Sequence, residues 1–391
     1  MAFMLINKYL KRITLTLCVI LFSLKLDAQQ AYSVIPYEMY SGKMIVNLKI
    51  NGKTERLIFD TGAAKSTLSS EYCRENNIEA TSTMKLTDVT STVATYPMTM
   101  ISSIATLDNQ FTFVSVPAVI MPEPSPLRCF NVVGLVGSDI LAKTICTIDS
   151  KNKTITISTP EKPSPEPIRF ALNLDQKNVL PVFNVLVNGV DITVLFDTGS
   201  GSFMNLKDTD FEKLKEHDAV QIMNRGSGAK SFGLANKVES SNANQVYIKN
   251  LRVGPAKFAD IFTETSNSPH TLLGVKIMEY AKITIDFTRK RLYYIPYQQD
   301  TIRPLFKEPN FGLTIRDGKL IVSNVWKEHE NLISEGDIIT HINGVPTRTY
   351  QFCDIIGGVK EMYVPGPKIL TIQTKDGNTL DLEYKIEILK L

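Results

Sequence analysis

The chain has 391 residues, of which 43% are hydrophobic and 21% are charged, and its mean hydropathy is −0.03. This composition is typical of a globular protein with two or three domains, and it excludes a disordered, collagen-like or coiled-coil chain. The net charge of +3 comes from residues 1–28, which carry four basic side chains and one acidic side chain. The rest of the chain is neutral and has no long-range attraction for nucleic acid, so we expect no nucleic-acid partner.

Residues 1–28 have the pattern of a secretory signal peptide. Three basic side chains within residues 8–12 precede an apolar run over residues 13–24, and the small residue Ala28 ends the segment. A run of about 12 residues is shorter than the roughly 20 that span a bilayer. Cleavage after Ala28 is therefore favoured over the alternative, an uncleaved membrane anchor. We expect an exported protein, periplasmic or secreted, with no membrane span after cleavage.

A repeat with an offset of 137 residues divides most of the remaining chain into two similar halves. Three separated pairs of blocks keep this offset: Leu57–Ala63 with Val194–Ser200, Leu135–Gly137 with Leu272–Gly274, and Thr147–Asp149 with Thr284–Asp286. A single offset that is kept over three blocks indicates duplicated structural units. The first half covers residues 29–159, a proline-rich linker covers 160–167, and the second half covers 168–297.

Each half has the same order of predicted elements, and nearly all of them are strands. An alternating run precedes Asn-Gly, the strongest short hairpin signal, and a second apolar strand then ends at Asp-Thr-Gly. A short segment with helical potential follows Leu-Val-Gly or Leu-Leu-Gly, and a hairpin closes the half. The positions are Met44–Ile50 and Val182–Val187 for the first strand, Ser138–Lys143 and Val275–Tyr280 for the helical segment, and Thr154–Ile157 and Leu292–Ile295 for the last strand. The predicted fold class is mainly β.

Two Asp-Thr-Gly motifs at equivalent positions predict a pair of carboxyl groups. One such motif is weak evidence, because Asp-x-Gly after a strand is often only a turn. Two motifs in duplicated units can place Asp60 and Asp197 face to face across a pseudo-twofold axis. Two carboxyl groups about 3 Å apart share one proton. The charged member can then take a proton from a bound water, while the protonated member hydrogen-bonds the carbonyl oxygen under attack.

The residues that follow each aspartate suit the same task. Gly62 and Gly199 permit a tight turn and the close approach of backbone N–H groups to the carboxylates. Thr61 and Thr198 offer short hydroxyls that can brace the opposing loop. Ser200 follows the second motif where the first half has alanine, so the two carboxylates have unequal surroundings. This chemistry requires no metal, no cofactor and no nucleophilic side chain.

At these residues the chain resembles the retropepsin-like aspartic proteases of clan AA. Each half carries Phe-Asp-Thr-Gly and a later apolar-apolar-Gly block, and the resemblance covers about residues 40–297. It implies two acid-protease-like β-barrel halves that form a single-chain pseudo-dimer, with residues 135–137 and 272–274 packed behind the catalytic loops. The second half departs from this pattern, because residues 275–276 are Val-Lys where residues 138–139 are Ser-Asp.

The family also closes a hairpin flap over its substrate from a point some way after Asp-Thr-Gly. The matching stretches are Lys85–Tyr96 and Asn224–Asn236. The second stretch holds Gly226 and Gly228 and is expected to be the more mobile, so that one half supplies a moving lid. The alternative is that both stretches are ordinary surface hairpins.

Residues 303–391 resemble a PDZ domain. Gly336–Gly344 has the pattern Gly-Asp-x-Ile-x-x-Ile-Asn-Gly, and Asn310–Leu313 is similar to the carboxylate-binding loop of that family. The resemblance implies a β-sandwich/α module in which an extended C-terminal peptide adds a strand beside Leu313–Ile315. The loop residues that would bind this peptide are Phe311, Gly312 and Leu313. The alternative is a PDZ-like fold that only packs on the protease and binds nothing.

Cysteine and histidine positions add little to this interpretation. Four cysteines lie outside the signal segment, and none belongs to a Cys-x-x-Cys pair: Cys73, Cys129, Cys146 and Cys353. Free thiols and a Cys129–Cys146 bridge are both compatible with the sequence. The histidines are dispersed, without a His-Glu-x-x-His motif, so no metal site is predicted.

Two hypotheses from different classes remain. The first is an exported aspartic endopeptidase that hydrolyses polypeptide substrates at Asp60 and Asp197 as a monomer, with the PDZ-like module for substrate capture or regulation. Its activity is expected to be highest on the acid side of neutrality, because one proton must remain on the pair. The second is a non-catalytic peptide-binding protein that retains the protease cleft.

Overall fold

The computed structural model of this chain describes residues 31–87, 93–160, 171–173, 179–228, 241–357, 359–362 and 366–391. Strands make up 54% of the structure and helices are few, which confirms the mainly β fold class. The predicted signal peptide (1–28) and most of the predicted linker (160–167) lie outside the described residues. None of the helices in the described ranges has the length and apolar character needed to cross a membrane.

The first half forms a closed barrel. Its elements are β1 (Tyr32–Tyr40), β2 (Lys43–Ile50), β3 (Lys53–Phe59), β4 (Ser66–Ser69), α1 (Ser70–Glu75), β5 (Ser82–Thr87), β6 (Val93–Ala105), β7 (Thr112–Met121), β8 (Gly134–Val136), β9 (Ile145–Asp149) and β10 (Thr154–Ser158). Short 3₁₀ helices at Pro126–Phe130 and Ser138–Leu141 lie on either side of β8. The strands are hydrogen-bonded in the order β2-β3-β8-β4-β7-β6, and the pairing of β2 with β6 closes the ring.

The second half repeats this arrangement. Its elements are β11 (Ala171–Asn173), β12 (Val182–Val187), β13 (Val190–Phe196), β14 (Met204–Lys207), α2 (Asp208–Glu216), β15 (Gln221–Gly228), β16 (Ser241–Val253), β17 (Ala256–Ser266), β18 (Thr271–Leu273), β19 (Ala281–Asp286) and β20 (Arg291–Pro296). A 3₁₀ helix at Val275–Tyr280 follows β18. The order β12-β13-β18-β14-β17-β16, closed by β12 with β16, corresponds strand by strand to the first barrel.

Both barrels begin with the hairpin that the Asn-Gly signal predicts. Asn51 and Gly52 connect β2 to β3 with φ angles of 49° and 86°, and Asn188 and Gly189 connect β12 to β13 with 46° and 87°. Two consecutive residues in the left-handed region give a turn whose twist matches that of the flanking strands. The hairpins fix the register that directs each following strand to its Asp-Thr-Gly motif.

The last strands of the two halves join in one sheet, with the order β11-β20-β19-β9-β10-β1. At its centre β9 pairs antiparallel with β19, and Thr147 lies directly opposite Thr284. Their hydroxyl oxygens are 2.9 Å apart, although the residues are 137 positions apart in the chain. The sequence predicted a closing hairpin for each half, and the structure adds that the two hairpins pair edge to edge and hold the halves together.

The C-terminal module, residues 303–391, has its own core. Its elements are β21 (Lys307–Pro309), β22 (Gly312–Arg316), β23 (Lys319–Trp326), a 3₁₀ helix (Lys327–His329), β24 (Ile338–Ile342), β25 (Val345–Pro346), α3 (Asp354–Gly357), a 3₁₀ helix (Lys360–Met362), β26 (Lys368–Gln373), β27 (Thr379–Tyr384) and β28 (Ile386–Ile388). Phe311 and Leu370 are fully buried in an apolar cluster that contains only residues of this module. The helix α3 of this module has only four residues.

The C-terminal module is attached to both halves. A disulfide joins Cys129, in the 3₁₀ helix before β8, to Cys353, immediately before α3. The alternative Cys129–Cys146 bridge is therefore wrong, because Cys146 is a buried free thiol in β9. On the other side, β23 of the module pairs antiparallel with β15 of the second half. A covalent link to one half and a strand pairing with the other hold the module across the two.

Candidate active site

Each Asp-Thr-Gly motif begins where a buried strand ends. In the first half, Phe59 at the end of β3 lies parallel to Val136 of β8, and the Asp60 N–H donates to the Val136 carbonyl over 3.0 Å. In the second half, β13 pairs in parallel with β18, and Phe196 lies opposite Leu273. The Asp197 N–H donates to the Leu273 carbonyl over 2.9 Å. The apolar-apolar-Gly blocks thus lie directly behind the motifs and fix where each aspartate leaves its strand.

The two motif loops are hydrogen-bonded to each other through their threonines. The Thr61 hydroxyl donates to the Phe196 carbonyl (2.7 Å) and accepts from the Thr198 N–H (3.1 Å). The Thr198 hydroxyl donates to the Phe59 carbonyl (2.8 Å) and accepts from the Thr61 N–H (2.9 Å). Both threonines are fully buried. Buried, reciprocal hydrogen bonds of this kind are costly to break, so they hold the loops in one relative position.

This bracing brings the two carboxyl groups together. A Cβ atom added to Gly62 would lie 2.3 Å from the Asp197 Cγ, and one added to Gly199 would lie 2.4 Å from an Asp60 carboxylate oxygen. The Asp60 carboxyl group is close enough to Asp197 to raise the pKa of Asp197. Each carboxyl group therefore packs over the glycine of the opposite loop, where a larger residue has no room.

The surroundings of the two aspartates are unequal. One Asp60 carboxylate oxygen accepts two N–H groups, from Gly62 (2.9 Å) and Ala63 (3.1 Å), whereas Asp197 accepts one, from Gly199 (2.8 Å). Asp197 is 7% exposed. Burial and the neighbouring Asp60 carboxyl raise the pKa of Asp197 to about 8, against the opposing effect of the nearby Lys43 ammonium. These surroundings therefore favour the protonated form of Asp197 more than those of an exposed aspartate would.

The raised pKa of Asp197 predicts that the stability of the folded protein depends on pH. Its pKa is about 8 in the folded protein and about 4 in an unfolded chain, so folding takes up a proton between these values. The stabilisation is complete below about pH 4 and is lost as the pH rises towards 8. We expect the unfolding temperature of the wild type to fall over this range relative to that of Asp197→Asn, by several degrees.

Calorimetry in buffers of equal ionic strength measures this difference. Asp191→Asn is the matched control, because Asp191 is an exposed carboxylate on the same strand that leads to the motif. The control is expected to follow the wild type at every pH. If the unfolding temperatures of the wild type and Asp197→Asn changed in parallel with pH, Asp197 would not hold a proton in the folded protein.

A second set of polar groups supports the first motif, and sequence reasoning did not identify all of it. The Ser138 hydroxyl donates to the Thr61 carbonyl over 2.7 Å. The Asp139 carboxylate accepts from the Ser66 N–H (3.0 Å) and hydroxyl (2.9 Å). The backbone bond at this position is present in both halves, because the Ser138 N–H donates to the Ala63 carbonyl (2.8 Å) and the Val275 N–H donates to the Ser200 carbonyl (2.9 Å). The Ser-Asp to Val-Lys change therefore removes the side-chain support from the second half and keeps the backbone bond. Of the first-half groups, only Ser66 carried no sequence signal.

Corresponding apolar residues adjoin the two motifs, but the two clusters differ in size. The first contains Ile45, Ile58 and Leu135, and the second contains their counterparts Val182, Leu195 and Leu272. The first cluster also includes Tyr96, Met98 and residues of the 3₁₀ helix before β8. Ala63 of the first motif and Ile356 of α3 pack against it. The C-terminal module therefore touches the apolar wall of the first half, on the side that carries Asp60.

The predicted flap glycines, Gly226 and Gly228, lie in β15 between two other strands. On one edge β15 pairs with β16, and on the other edge Gly226 pairs with Trp326 and Gly228 with Asn324. A Cβ atom on Gly226 would lie 2.4 Å from the Val325 carbonyl oxygen. These glycines permit close packing against β23, so this part of the predicted flap is a strand that is paired on both edges. Residues 229–236 and 88–92 of the two flap stretches lie outside the described residues.

The predicted peptide-binding loop lies at the start of β22. Phe311 is fully buried, with its ring 5.3 Å from that of Tyr384, so its side chain belongs to the core of the module. Gly312 lies against Asn324, and Leu313 is half-buried and pairs with Val322. β22 pairs with β23 on one edge, and no strand of the described part of the chain pairs with its other edge.

Within the described ranges, no group of three or more His, Cys, Asp or Glu residues is arranged to hold a metal ion. A cavity of about 290 Å³ lies in the C-terminal module and is lined by residues that include His341, Thr371 and Asp381. It contains neither aspartate of the motif pair, and we assign it no role.

Comparison with known proteins adds evidence on the first half. A family model described as aspartyl protease matches residues 46–140. No curated protein matches the chain significantly. The matched segment runs from β2 into the 3₁₀ helix after β8, so it contains Asp60, Thr61 and Leu135–Gly137 and ends before Asp197. The segment that carries Asp60 is thus similar to the aspartyl proteases, which at this coarse level supports a peptidase.

Proposed function

We propose that this protein is an exported aspartic endopeptidase that hydrolyses peptide bonds with Asp60 and Asp197. The observation that carries the proposal is the reciprocal bracing of Thr61 and Thr198, which seats each carboxyl group on the glycine of the other loop. A structural turn has no need for two buried acids in contact, since bringing them together costs free energy. Such an arrangement is expected where the acids do chemistry.

The unequal surroundings assign the two roles. Asp60 accepts two backbone N–H bonds, which orient its carboxylate, and it takes a proton from a bound water. The oxygen of this water forms a bond to the peptide carbonyl carbon. Asp197 keeps its proton at neutral pH and donates it in a hydrogen bond to the carbonyl oxygen. The C–N bond then breaks, the proton taken from water passes to the leaving nitrogen, and a carboxylic acid and an amine are released.

One chain supplies both acids in this proposal. The two barrels have the same strand order, and Thr147 pairs with Thr284 at the centre of the shared sheet. A residue that pairs with its own counterpart lies on the axis that relates two similar units, so these contacts support a single-chain pseudo-dimer. The enzyme is then active as a monomer, and its specific activity is independent of protein concentration.

Digestion of a peptide library by purified residues 29–391 at about pH 5 tests the proposal. We expect cleavage by the wild type and by the control Asp191→Asn, and a loss of at least about 1,000-fold in Asp60→Asn and in Asp197→Asn. Circular dichroism verifies that the variants fold. Equal cleavage by the variants would place the chemistry elsewhere, whereas peptide binding without cleavage by the wild type would support the rival, a non-catalytic peptide-binding protein.

Export is part of the same proposal, with a periplasmic or secreted destination. The Cys129–Cys353 disulfide supports it, because such bonds persist in oxidising compartments and are rare in the cytosol. The neutral charge of the chain after residue 28 and the signal-like pattern before it agree with this destination. Polypeptides in that compartment are the proposed substrates.

The C-terminal module is proposed to act as a PDZ-like regulator of the protease. A C-terminal peptide that adds a strand to the open edge of β22 would extend a sheet that continues through β23 into β15. β15 belongs to the second-half hairpin that corresponds in position to a flap. Peptide binding at the module can therefore alter the hairpin through a continuous set of backbone hydrogen bonds.

A further inference from the structure

Lys43 crosses from the first half to the second-half motif. It is the first residue of β2 and follows a tight turn in which Ser41 and Gly42 have φ angles of 45° and 75°. Its Nζ donates to the carbonyl oxygen of Gly199. The hairpin tip is pressed against the same loop, since a Cβ atom on Gly42 would lie 3.2 Å from the Gly201 Cα. The packing of the turn before Lys43 against Gly201 thus fixes the position of the lysine next to the Gly199 loop.

No cation occupies the corresponding place in the other half. The residue 137 positions after Lys43 is Leu180, which is half-buried and packs against the apolar cluster of Val182, Leu195 and Leu272. A leucine cannot donate a hydrogen bond to the first motif. The lysine therefore distinguishes two loops that are otherwise closely similar, and it acts on the side of Asp197.

The charges near Asp197 show what this lysine can do there. The Asp60 carboxyl favours the protonated form of Asp197, and the Lys43 ammonium favours the ionised form. The Gly199 N–H, on the residue whose carbonyl Lys43 holds, also stabilises the ionised form. Lys43 thus affects Asp197 in two ways, through its charge and through the position of Gly199.

We propose that Lys43 is a positioning residue that holds the Gly199 loop and sets the pH range over which the aspartate pair carries a single proton. The inference rests on the proposed function, because that range matters for hydrolysis by the pair. Removal of the cation makes both ionisations of the pair less favourable. The active, singly protonated form then persists to higher pH, so the activity profile moves in the alkaline direction.

Two variants separate the charge from the hydrogen bond. Lys43→Gln keeps a donor for the Gly199 carbonyl and removes the charge, whereas Lys43→Arg keeps the charge. Lys49→Met is the matched control, since Lys49 lies on the same strand and its Nζ donates to Asn109 over 2.9 Å. We expect the pH profile of kcat/KM to shift upward by about one unit in Lys43→Gln, and to stay near that of the wild type in Lys43→Arg and Lys49→Met.

Carboxyl ¹³C NMR titration gives a second readout that does not depend on turnover. Signals of the pair are assigned from Asp60→Asn and Asp197→Asn, and both steps of the titration are expected to move upward in Lys43→Gln. A titration in Lys43→Gln that matches the wild type would overturn the inference, while leaving the proposed function intact. Conversely, a shifted titration in a protein that cleaves no peptide would support the role of Lys43 and count against the proposed function.

Discussion

Gly199→Ala is expected to abolish peptide cleavage, with a loss of at least about 100-fold in kcat/KM. The added Cβ atom would lie 2.4 Å from one Asp60 oxygen and 2.5 Å from its Cγ. Contacts this short force the carboxyl group to move, and the proposed mechanism requires this group to lie beside both Asp197 and the attacking water. Gly62→Ala places a Cβ atom 2.3 Å from the Asp197 Cγ, so the same loss is expected there.

Gly201→Ala is the matched control for these variants, because Gly201 belongs to the same loop as Gly199. Its Cβ atom would lie 3.7 Å from the Gly42 Cα, an ordinary van der Waals contact, and activity close to that of the wild type is expected. Steady-state kinetics on one peptide and the unfolding temperature of each variant make the comparison. If Gly199→Ala cleaved as fast as Gly201→Ala, the two carboxyl groups would not face each other across these glycines.

Removal of the Cys129–Cys353 disulfide is expected to loosen the C-terminal module and the hairpin that pairs with it. The bond links residues 224 positions apart, and a crosslink of this kind contributes about 2–5 kcal/mol to stability. In Cys129→Ser/Cys353→Ser the module is held by the β15–β23 pairing and by the packing of α3. We therefore expect faster hydrogen exchange at residues 226–228 and 324–326 and a lower denaturation midpoint for the module.

Cys73→Ala controls for the general effect of losing a cysteine. Cys73 is a buried free thiol in α1, so its loss affects the first half and is expected to leave exchange in β15 unchanged. Treatment of the wild type with a dithiol, which is oxidised as the disulfide is reduced to two thiols, should reproduce the double variant. Unchanged exchange at β15 in both cases would mean that strand pairing alone holds the module in place.

Local patterns in the sequence were sufficient to predict several strands and turns of both halves. Val182–Val187 and Val275–Tyr280 have the predicted bounds, and both Asn-Gly hairpins are present. These features depend on side-chain alternation and on backbone preferences of adjacent residues. The constant offset also predicted that Asp60 and Asp197 occupy equivalent positions, because equivalent positions in two similar folds have equivalent surroundings.

Long-range contacts could not be predicted in the same way. The Cys129–Cys353 bond, the pairing of β15 with β23 and the contact of Lys43 with Gly199 each join residues far apart in the chain. No repeat or spacing marks such partners, and Gly226 and Gly228 show the consequence. Glycine is compatible with a mobile loop and with a tightly packed strand, so the residue type alone does not predict which of the two forms. The presence of a neighbouring strand decides it.

The amino-acid sequence by itself predicted the mainly β fold class, the 137-residue repeat and the pair of aspartates, because each depends on short segments whose preferences are local or repeated. The tertiary structure decided the unequal surroundings of the two aspartates and what the C-terminal module touches. Burial and the Lys43 ammonium change the pKa of Asp197, and Thr61 of the opposite loop fixes the position of the neighbouring Thr198. All of these act between residues that are distant in the chain. Interactions of this kind exist only once the chain has brought its two halves together.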